Sequence, residues 1–294
     1  MSGPVRRPAG TTGAASTASA VTALFVPGDR PERFAKAAGS GADVVIIDLE
    51  DAVAEDSKSE ALTAVLAALT PEREQDAAAI SALVRVNPAG SPTHDQEIHA
   101  LLSLTGMQGH GLLGVVVPKA EDIAMLNALA RTLPARLAFV PLIESALGLV
   151  HAMEIASIES VTRLAFGAID FALDIDADSG DRYLDHARAQ LVVASRAAGI
   201  AAPLDSPSVE IKDVSMIVES ARSARKFGFG GKLCIHPNQL APVVEAFTPT
   251  EHDVSWAESV VGAEGAARQI AGQMIDRPVV ERAKKILIRA GREL

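Results

Sequence analysis

The sequence predicts an α/β fold, a (β/α)8 TIM barrel, and three observations carry that prediction. From residue 21 onward, short apolar or β-branched runs alternate with longer Ala-, Leu-, Glu- and Arg-rich segments of helical spacing. The alternation repeats eight times, and the runs are almost continuously apolar, as in strands covered on both faces. Neither G-x-G-x-x-G nor G-x-x-x-x-G-K-[S/T] occurs, so the open nucleotide-binding sheets lose their usual marker. Repeated strand–helix units then favour a closed parallel barrel. A chain of 294 residues, 48% hydrophobic and 22% charged, is long enough to fill one such core.

The strands are expected at 23–28, 44–49, 83–87, 114–118, 137–143, 164–169, 202–205 and 232–236. Helices are expected between them at 31–38, 57–69, 94–104, 121–132, 146–156, 182–198 and 212–226, the first with Pro31 near its first turn. The seventh strand carries the poorest signal, because Ala202 is small and Pro203 has no N–H for the ladder. Beyond the eighth strand, 249–271 and 277–292 read as two further helices, although a barrel needs only one there. Three regions result: a disordered tail at 1–20, a barrel at 21–248 and a helical extension at 249–294.

Composition narrows the function. The formal net charge of −10 is spread along the chain, which argues against nucleic acid as the main partner but permits an anionic small molecule held by local Arg and Lys. No stretch approaches the ~20 uncharged apolar residues of a membrane helix, so a soluble protein is expected. The single cysteine, Cys234, has no disulfide partner within the chain, which suits the cytoplasm. Residues 1–20 are rich in Ala, Ser, Thr and Gly and lack the apolar run of a secretory signal; only Arg6 and Arg7 favour an organelle-targeting peptide.

In a barrel the working face is the C-terminal end of the strands. The residues expected there are unusually polar: Asp29 and Arg30; Asp48, Glu50 and Asp51; Arg85 and Asn87; Lys119; Glu144; Asp170; Asp205; His236. Two carboxylates converging from neighbouring strands, Glu144 and Asp170, raise each other's pKa unless a cation lies between them. Oxygen ligands of this kind suit Mg²⁺; the alternative is that each caps a helix N-terminus, Glu144 lying just before 146–156. Arg85 can grip an oxo-acid carboxylate through its planar fork, pair with the acids of 48–51, or do both. Arg30, Arg33 and Lys36 are either a solvated helix face or a phosphate site. Ser145 and Cys234 have no His at useful spacing, which leaves nucleophilic hydrolysis without support.

The stretches LFVPGDRPERFAKA (24–37) and VVIIDLEDAV (44–53) resemble the opening of the citrate lyase β-subunit-like family of Mg-dependent CoA-ester lyases, which includes malyl-CoA and citramalyl-CoA lyases. VRVNP (84–88), VVPKAE (116–121), PLIESALGL (141–149), FGAIDFALD (166–174), CIHPNQL (234–240) and GQMIDRPVVERA (272–283) continue the resemblance in the family's order. Segments 176–180 and 205–210 depart from the family pattern, which leaves the acyl chain unassigned. The resemblance implies a (β/α)8 barrel that cleaves or forms a 3-hydroxyacyl-CoA, giving an acyl-CoA and a 2-oxo acid. It implies Mg²⁺, or Mn²⁺, on Glu144 and Asp170, with Arg85 on the oxo acid. Phe25, Arg30, Lys36, Ile169, Ile235 and His236 would line the CoA and substrate pocket, with Asp48, Glu50 and Asp51 behind the metal. Asp276 would be the acid/base, delivered from a neighbouring subunit of a homotrimer or hexamer, which would account for the C-terminal extension. The rival readings are an aldolase on free oxo acids, a lyase coupled to thioester hydrolysis, a Schiff-base enzyme using Lys119, and a CoA- or acyl-carrier-binding subunit inactive alone.

Overall fold

Burial on both faces positions the strands of the barrel, β7 alone including an exposed residue, Ala202. β1 (Thr22–Pro27), β2 (Val44–Asp48), β3 (Ala82–Arg85), β4 (Leu112–Val117), β5 (Ala138–Ile143), β6 (Arg163–Phe166), β7 (Ala201–Asp205) and β8 (Gly231–Cys234) pair in parallel, each with the next, and β8 closes on β1. Alternate residues, among them Ala23, Ile46, Leu83, Val140, Leu142, Ala165, Leu204 and Leu233, form one interior cluster against which Phe25 packs. The residues between them, such as Ile47, Val84, Ile143 and Leu164, are also buried, on the side where the helices lie. The β6–β7 register shifts between Arg163 and Ala165, which is how the sheet accommodates Pro203.

In the computed structural model the described residues are 12–71, 79–178, 181–262, 269–270, 273–274 and 276–292. The chain divides into two compact units, Met1–Val243 and Val244–Leu294. None of the described helices is long and apolar enough to cross a membrane.

In the first unit the helices are α1 (Gly13–Ser19), α2 (Phe34–Ala38), α3 (Lys58–Leu69), α4 (His94–Ser103), α5 (Ile123–Thr132), α6 (Ala146–Val150), α7 (Ala152–Ala156), α8 (Ala168–Asp174), α9 (Asp185–Ala198) and α10 (Val214–Phe227); α11 (Leu240–Phe247) begins in it. Two of these correct the sequence reading. Residues 12–20, expected as disordered tail, contain α1, capped by Thr12 Oγ1, which accepts from the Ala15 N–H at 3.1 Å. Arg163, buried at the start of β6, donates to the carbonyls of Thr17 (2.9 Å) and Ala20 (2.8 Å). The small residues that read as low complexity are what let the helix approach: a Cβ at Gly13 would lie 1.9 Å from the Leu113 carbonyl oxygen. Residues 1–11 of the expected tail lie outside the described residues. The second correction is that β6 ends at Phe166, so Ile169 and Asp170 belong to α8 and not to the strand.

Asp205 is corrected as well. Leu204 and Leu233 point inward, so Asp205 and Lys232 point outward, toward α9. There Asp205 accepts from Arg188 Nε at 3.0 Å and from Lys232 Nζ at 2.6 Å, all three residues being buried. Burial alone would raise the Asp205 pKa; the two cations and their hydrogen bonds outweigh it and hold the carboxyl below its usual range.

In the second unit α12 (Glu251–Val261) and α13 (Arg277–Arg289) share an apolar cluster of Ala257, Val260, Val280, Ala283, Ile286 and Leu287. The Arg282 guanidinium stacks 5.4 Å over the Trp256 ring. The helix expected over 249–271 is shorter, ending at Val261 with Gly262 as its cap; glycine is among the poorest residues for continuing a helix. β9 (Gln269–Ile270) and β10 (Gln273–Met274) form an antiparallel hairpin inside the region expected to be helix and its connection.

Candidate active site

The strand period that fills the barrel interior also delivers the site. Two residues beyond each inward-facing strand residue lies a position at the barrel mouth: Ile46 is followed by Asp48, Leu83 by Arg85, Leu142 by Glu144, Ala165 by Gly167, Leu204 by Ser206 and Leu233 by Ile235. All of these, with Phe25, Asp51, Ile169 and Asp170, line one cavity of about 470 Å³.

Asp48 organises the turn after β2. Its Oδ1 accepts from the Glu50 N–H at 3.0 Å and its Oδ2 from the Ala52 N–H at 3.2 Å. The same two oxygens receive Arg85 Nε (2.7 Å) and Nη2 (2.6 Å) in a bidentate pair. Arg85 Nη1 lies 2.7 Å from Glu50 Oε2, and the guanidinium sits 4.9 Å over the Phe25 ring. Burial opposes the charge of Arg85, and its hydrogen bonds to Asp48 together with the surrounding acids outweigh that opposition. The pairing with the acids of 48–51 is thus observed, Asp48 occupying one edge of the fork, and Arg85 also lines the cavity.

Glu144 is buried, and its Oε1 accepts from the backbone N–H of Lys119 at 2.8 Å. Lys119 presents that N–H from a left-handed backbone, φ 47°. On its other side Glu144 packs against Gly167, where an added Cβ would fall 2.6 Å from Oε2; a side chain there would displace the carboxylate. Burial, with the Asp170 charge adding to it against the Lys119 hydrogen bond, pushes Glu144 up to about 7. Helix capping, the alternative role for Glu144, falls to its neighbours: Ser145 Oγ accepts from the Gly148 N–H at 3.1 Å, and Asp174 Oδ2 from the Ala146 N–H at 2.7 Å.

Glu50 shows the electrostatic problem most sharply. Burial pushes it up to about 8; Arg85 opposes the rise, while Glu144, Asp51 and Asp48 add to it. Both of its carboxylate oxygens are buried without a hydrogen-bond partner, Arg85 Nη1 being close but outside hydrogen-bond geometry. Asp48, Glu50 and Asp51 lie around the Arg85 guanidinium, Glu144 and Asp170 add to the negative charge, and Lys119 Nζ lies 4.0 Å from Glu50; five acids against two cations favour a further cation. Among the described residues no group of three or more His, Cys, Asp or Glu is arranged to enclose a metal. Two carboxylates, Glu144 and Asp170, on one cavity fit Mg²⁺, which keeps several waters or substrate oxygens in its shell.

The remaining sequence candidates distribute as follows. Ile169 (50% exposed) and Ile235 (47%) form apolar rims of the cavity. Arg30 and Lys36 are exposed, on the loop after β1 and on α2, and Arg30 Nε lies 3.9 Å from Asp29; neither lines the cavity. His236 does not line it either: its Nδ1 accepts from the Asn238 N–H at 3.1 Å, capping the 3-10 turn Pro237–Gln239. Asp276 lies in the second unit as the N-cap of α13, its Oδ1 accepting from the Val279 N–H at 3.1 Å. Ser206 lines the cavity and was missed, although its parity with Leu204 would have found it; its Oγ accepts from the Ala168 N–H at 3.1 Å.

The family model for HpcH/HpaI aldolase/citrate lyase matches residues 22–237. The chain is similar to a citrate lyase subunit beta-like protein of Mycobacterium tuberculosis, 38% identical over 279 residues that cover 91% of this chain and 94% of that protein. It is 32% identical to the L-malyl-CoA/beta-methylmalyl-CoA lyase of Cereibacter sphaeroides over 305 residues, covering 91% of this chain and 93% of that one. Among solved structures, protein CitE of M. tuberculosis in complex with magnesium, acetoacetate and coenzyme A superposes with a TM-score of 0.79 at 36% identity, covering 93% of this chain and 99% of that chain. The chain belongs to the HpcH/HpaI aldolase/citrate lyase family and is a carbon–carbon lyase.

Proposed function

We propose that the chain is a Mg²⁺-dependent lyase that cleaves, or in reverse forms, a 3-hydroxyacyl-CoA thioester such as malyl-CoA or citramalyl-CoA. The observation that carries this reading is a cavity lined by four carboxylates, Asp48, Asp51, Glu144 and Asp170, with Glu144 buried, beside the Arg85 guanidinium. The relatives named for malyl-CoA chemistry and the neighbour solved with magnesium and coenzyme A support the metal and the thioester.

Glu144 and Asp170 would hold the ion, which when bound supplies Lewis-acid polarisation of the oxo acid's carbonyl. Arg85, fixed by Asp48, pairs with the oxo acid's carboxylate and orients that fragment. Glu50 and Asp51 keep the guanidinium in place and accept hydrogen bonds from water. Phe25, Ile169 and Ile235 give the acyl portion an apolar wall, and His236 caps the turn that follows Ile235. Arg30 and Lys36, outside the cavity, are free to meet the CoA phosphates. In the synthetic direction Asp276 of a neighbouring subunit takes the α-proton of the acyl-CoA, and in cleavage it returns that proton to the same carbon. That assignment makes the protein a homo-oligomer, a trimer or a pair of trimers, in the cytoplasm.

A Schiff base on Lys119 is disfavoured, since its side chain is 54% exposed, lies 4.0 Å from Glu50 and does not line the cavity. The test is a small panel of CoA thioesters assayed with and without EDTA, alongside Glu144→Ala and Asp170→Ala. Turnover should vanish with EDTA and in both variants while the fold is kept. EDTA-resistant turnover would remove the metal from the reading, and cleavage of free hydroxy acids alone would remove the thioester.

A further inference from the structure

Behind the acid-bearing turn lies a buried polar network that the proposed chemistry does not use and that lies largely outside the motifs read from the sequence. Lys58, the first residue of α3, is 9% exposed. Its ammonium donates to the carbonyls of Leu49 (3.1 Å) and Glu50 (3.2 Å) and to Asn87 Oδ1, so three acceptors meet its three N–H groups. Asn87 in turn donates from Nδ2 to the Leu49 carbonyl (2.9 Å) and to Glu97 Oε1, and its backbone N–H donates to Glu97 Oε2 at 2.7 Å. His94 Nδ1 lies 2.7 Å from the Asn87 carbonyl. Asn87, His94 and Glu97 are buried.

Apolar residues of similar volume would pack α3 and α4 on the barrel without desolvating an ammonium and a carboxylate. What the network adds is position. It ties the Leu49–Glu50 backbone to the end of β3, two residues past Arg85. On the cavity side the same two segments are joined a second time, by Arg85 to Asp48 and Glu50. We infer that Lys58 is a positioning residue: through the Leu49 and Glu50 carbonyls it sets where Glu50, and hence the Arg85 guanidinium, stands. This rests on the reading of Arg85 as the group that grips the oxo acid.

The experiment measures Lys58→Met and Arg85→Lys in the synthetic direction, with KM for the oxo acid, KM for the thioester, kcat and melting temperature for each. Lys58→Met should raise the oxo-acid KM by ~10- to 100-fold, as removal of such a supporting partner does elsewhere, with the thioester KM within about twofold. A lower melting temperature with the oxo-acid KM unchanged, or both KM values rising together, overturns the inference and leaves Lys58 a purely structural residue. If Arg85→Lys leaves the oxo-acid KM unchanged, the reading of Arg85 fails first, and the two failures are told apart. Should Lys58→Met not fold, Glu97→Gln approaches the network from its other end. It should raise the oxo-acid KM in the same selective way, and an unselective or absent effect overturns the inference.

Discussion

The raised pKa of Glu144 makes metal binding and stability depend on pH in a linked way. The folded, ion-free protein holds this proton until about pH 7, whereas an unfolded chain releases it near 4.5. The sign follows directly: the neutral acid is favoured in the folded state, so its contribution is full below pH 4.5 and is lost as pH rises through 7. Raising this one carboxyl from 4.5 to about 7 corresponds to about 3 kcal/mol. Glu50, raised to about 8, has the same sign and carries the loss about one pH unit higher. A divalent ion reverses the trend, because it binds the carboxylate and not the acid. Below pH 7 the apparent Mg²⁺ affinity should therefore fall roughly tenfold per pH unit, and binding should release close to one proton at pH 6 but almost none above pH 8. Titration calorimetry from pH 5.5 to 8.5, in buffers of different ionisation enthalpy, measures both quantities. Melting curves with and without MgCl₂ should show a larger metal-induced rise at pH 8 than at pH 6. A pH-independent affinity with no proton release would refute the argument, since it would mean that Glu144 is ionised throughout.

Other substitutions test separate parts of the structure. Lys119→Gly suits the backbone φ of 47° and keeps the N–H on Glu144, so activity and Mg²⁺ dependence should survive; loss of turnover together with borohydride trapping of the wild-type lysine would instead establish a Schiff base. Asp205→Ala removes the buried acid that Arg188 and Lys232 share and should cost about 3–5 kcal/mol in denaturant unfolding, a cost near zero being incompatible with the outward triad. Replacing Arg30 or Lys36 by Ala should raise the thioester KM by the equivalent of about 1.5–3 kcal/mol, with less effect on the oxo acid; equal effects on both would remove the CoA assignment. If Asp276 acts in trans, co-refolding Asp276→Ala with Glu144→Ala one to one should restore roughly a quarter of the sites; no recovery despite proven subunit exchange would place the whole site in one chain.

What the sequence made legible, and what it hid, divides along one physical line. Strand periodicity is local, and it is robust wherever both faces are buried. From Ile46, Leu83 and Leu142 it carries the reader to Asp48, Arg85 and Glu144 without any knowledge of the tertiary structure. The same rule is unforgiving at strand ends, where an error of one residue reverses the face. Asp205 looked like a mouth residue and instead lies outside the barrel, one step from Leu204, while Ser206 takes the mouth position. The apolar run through Ile169 reads as strand, with Asp170 at its end; the chain instead turns at Gly167, where Glu144 packs, and begins α8.

Groups whose partners are backbone atoms were harder to recognise. Lys58, Arg163 and His236 satisfy themselves largely on carbonyls or amides supplied by other segments or by the turn they cap, and no side-chain spacing announces that. α1 was hidden for the opposite reason: its Gly, Ala, Ser and Thr residues have the composition of a tail, and only contact with Leu113 and Arg163 shows that smallness is the requirement. A lyase site of this kind is thus written twice in the chain. The reacting groups follow a readable period, and the groups that hold them steady follow from backbone geometry, which is why a buried lysine that belongs to none of the recognised motifs but bonds to two of them is the sharper probe of how Arg85 is held.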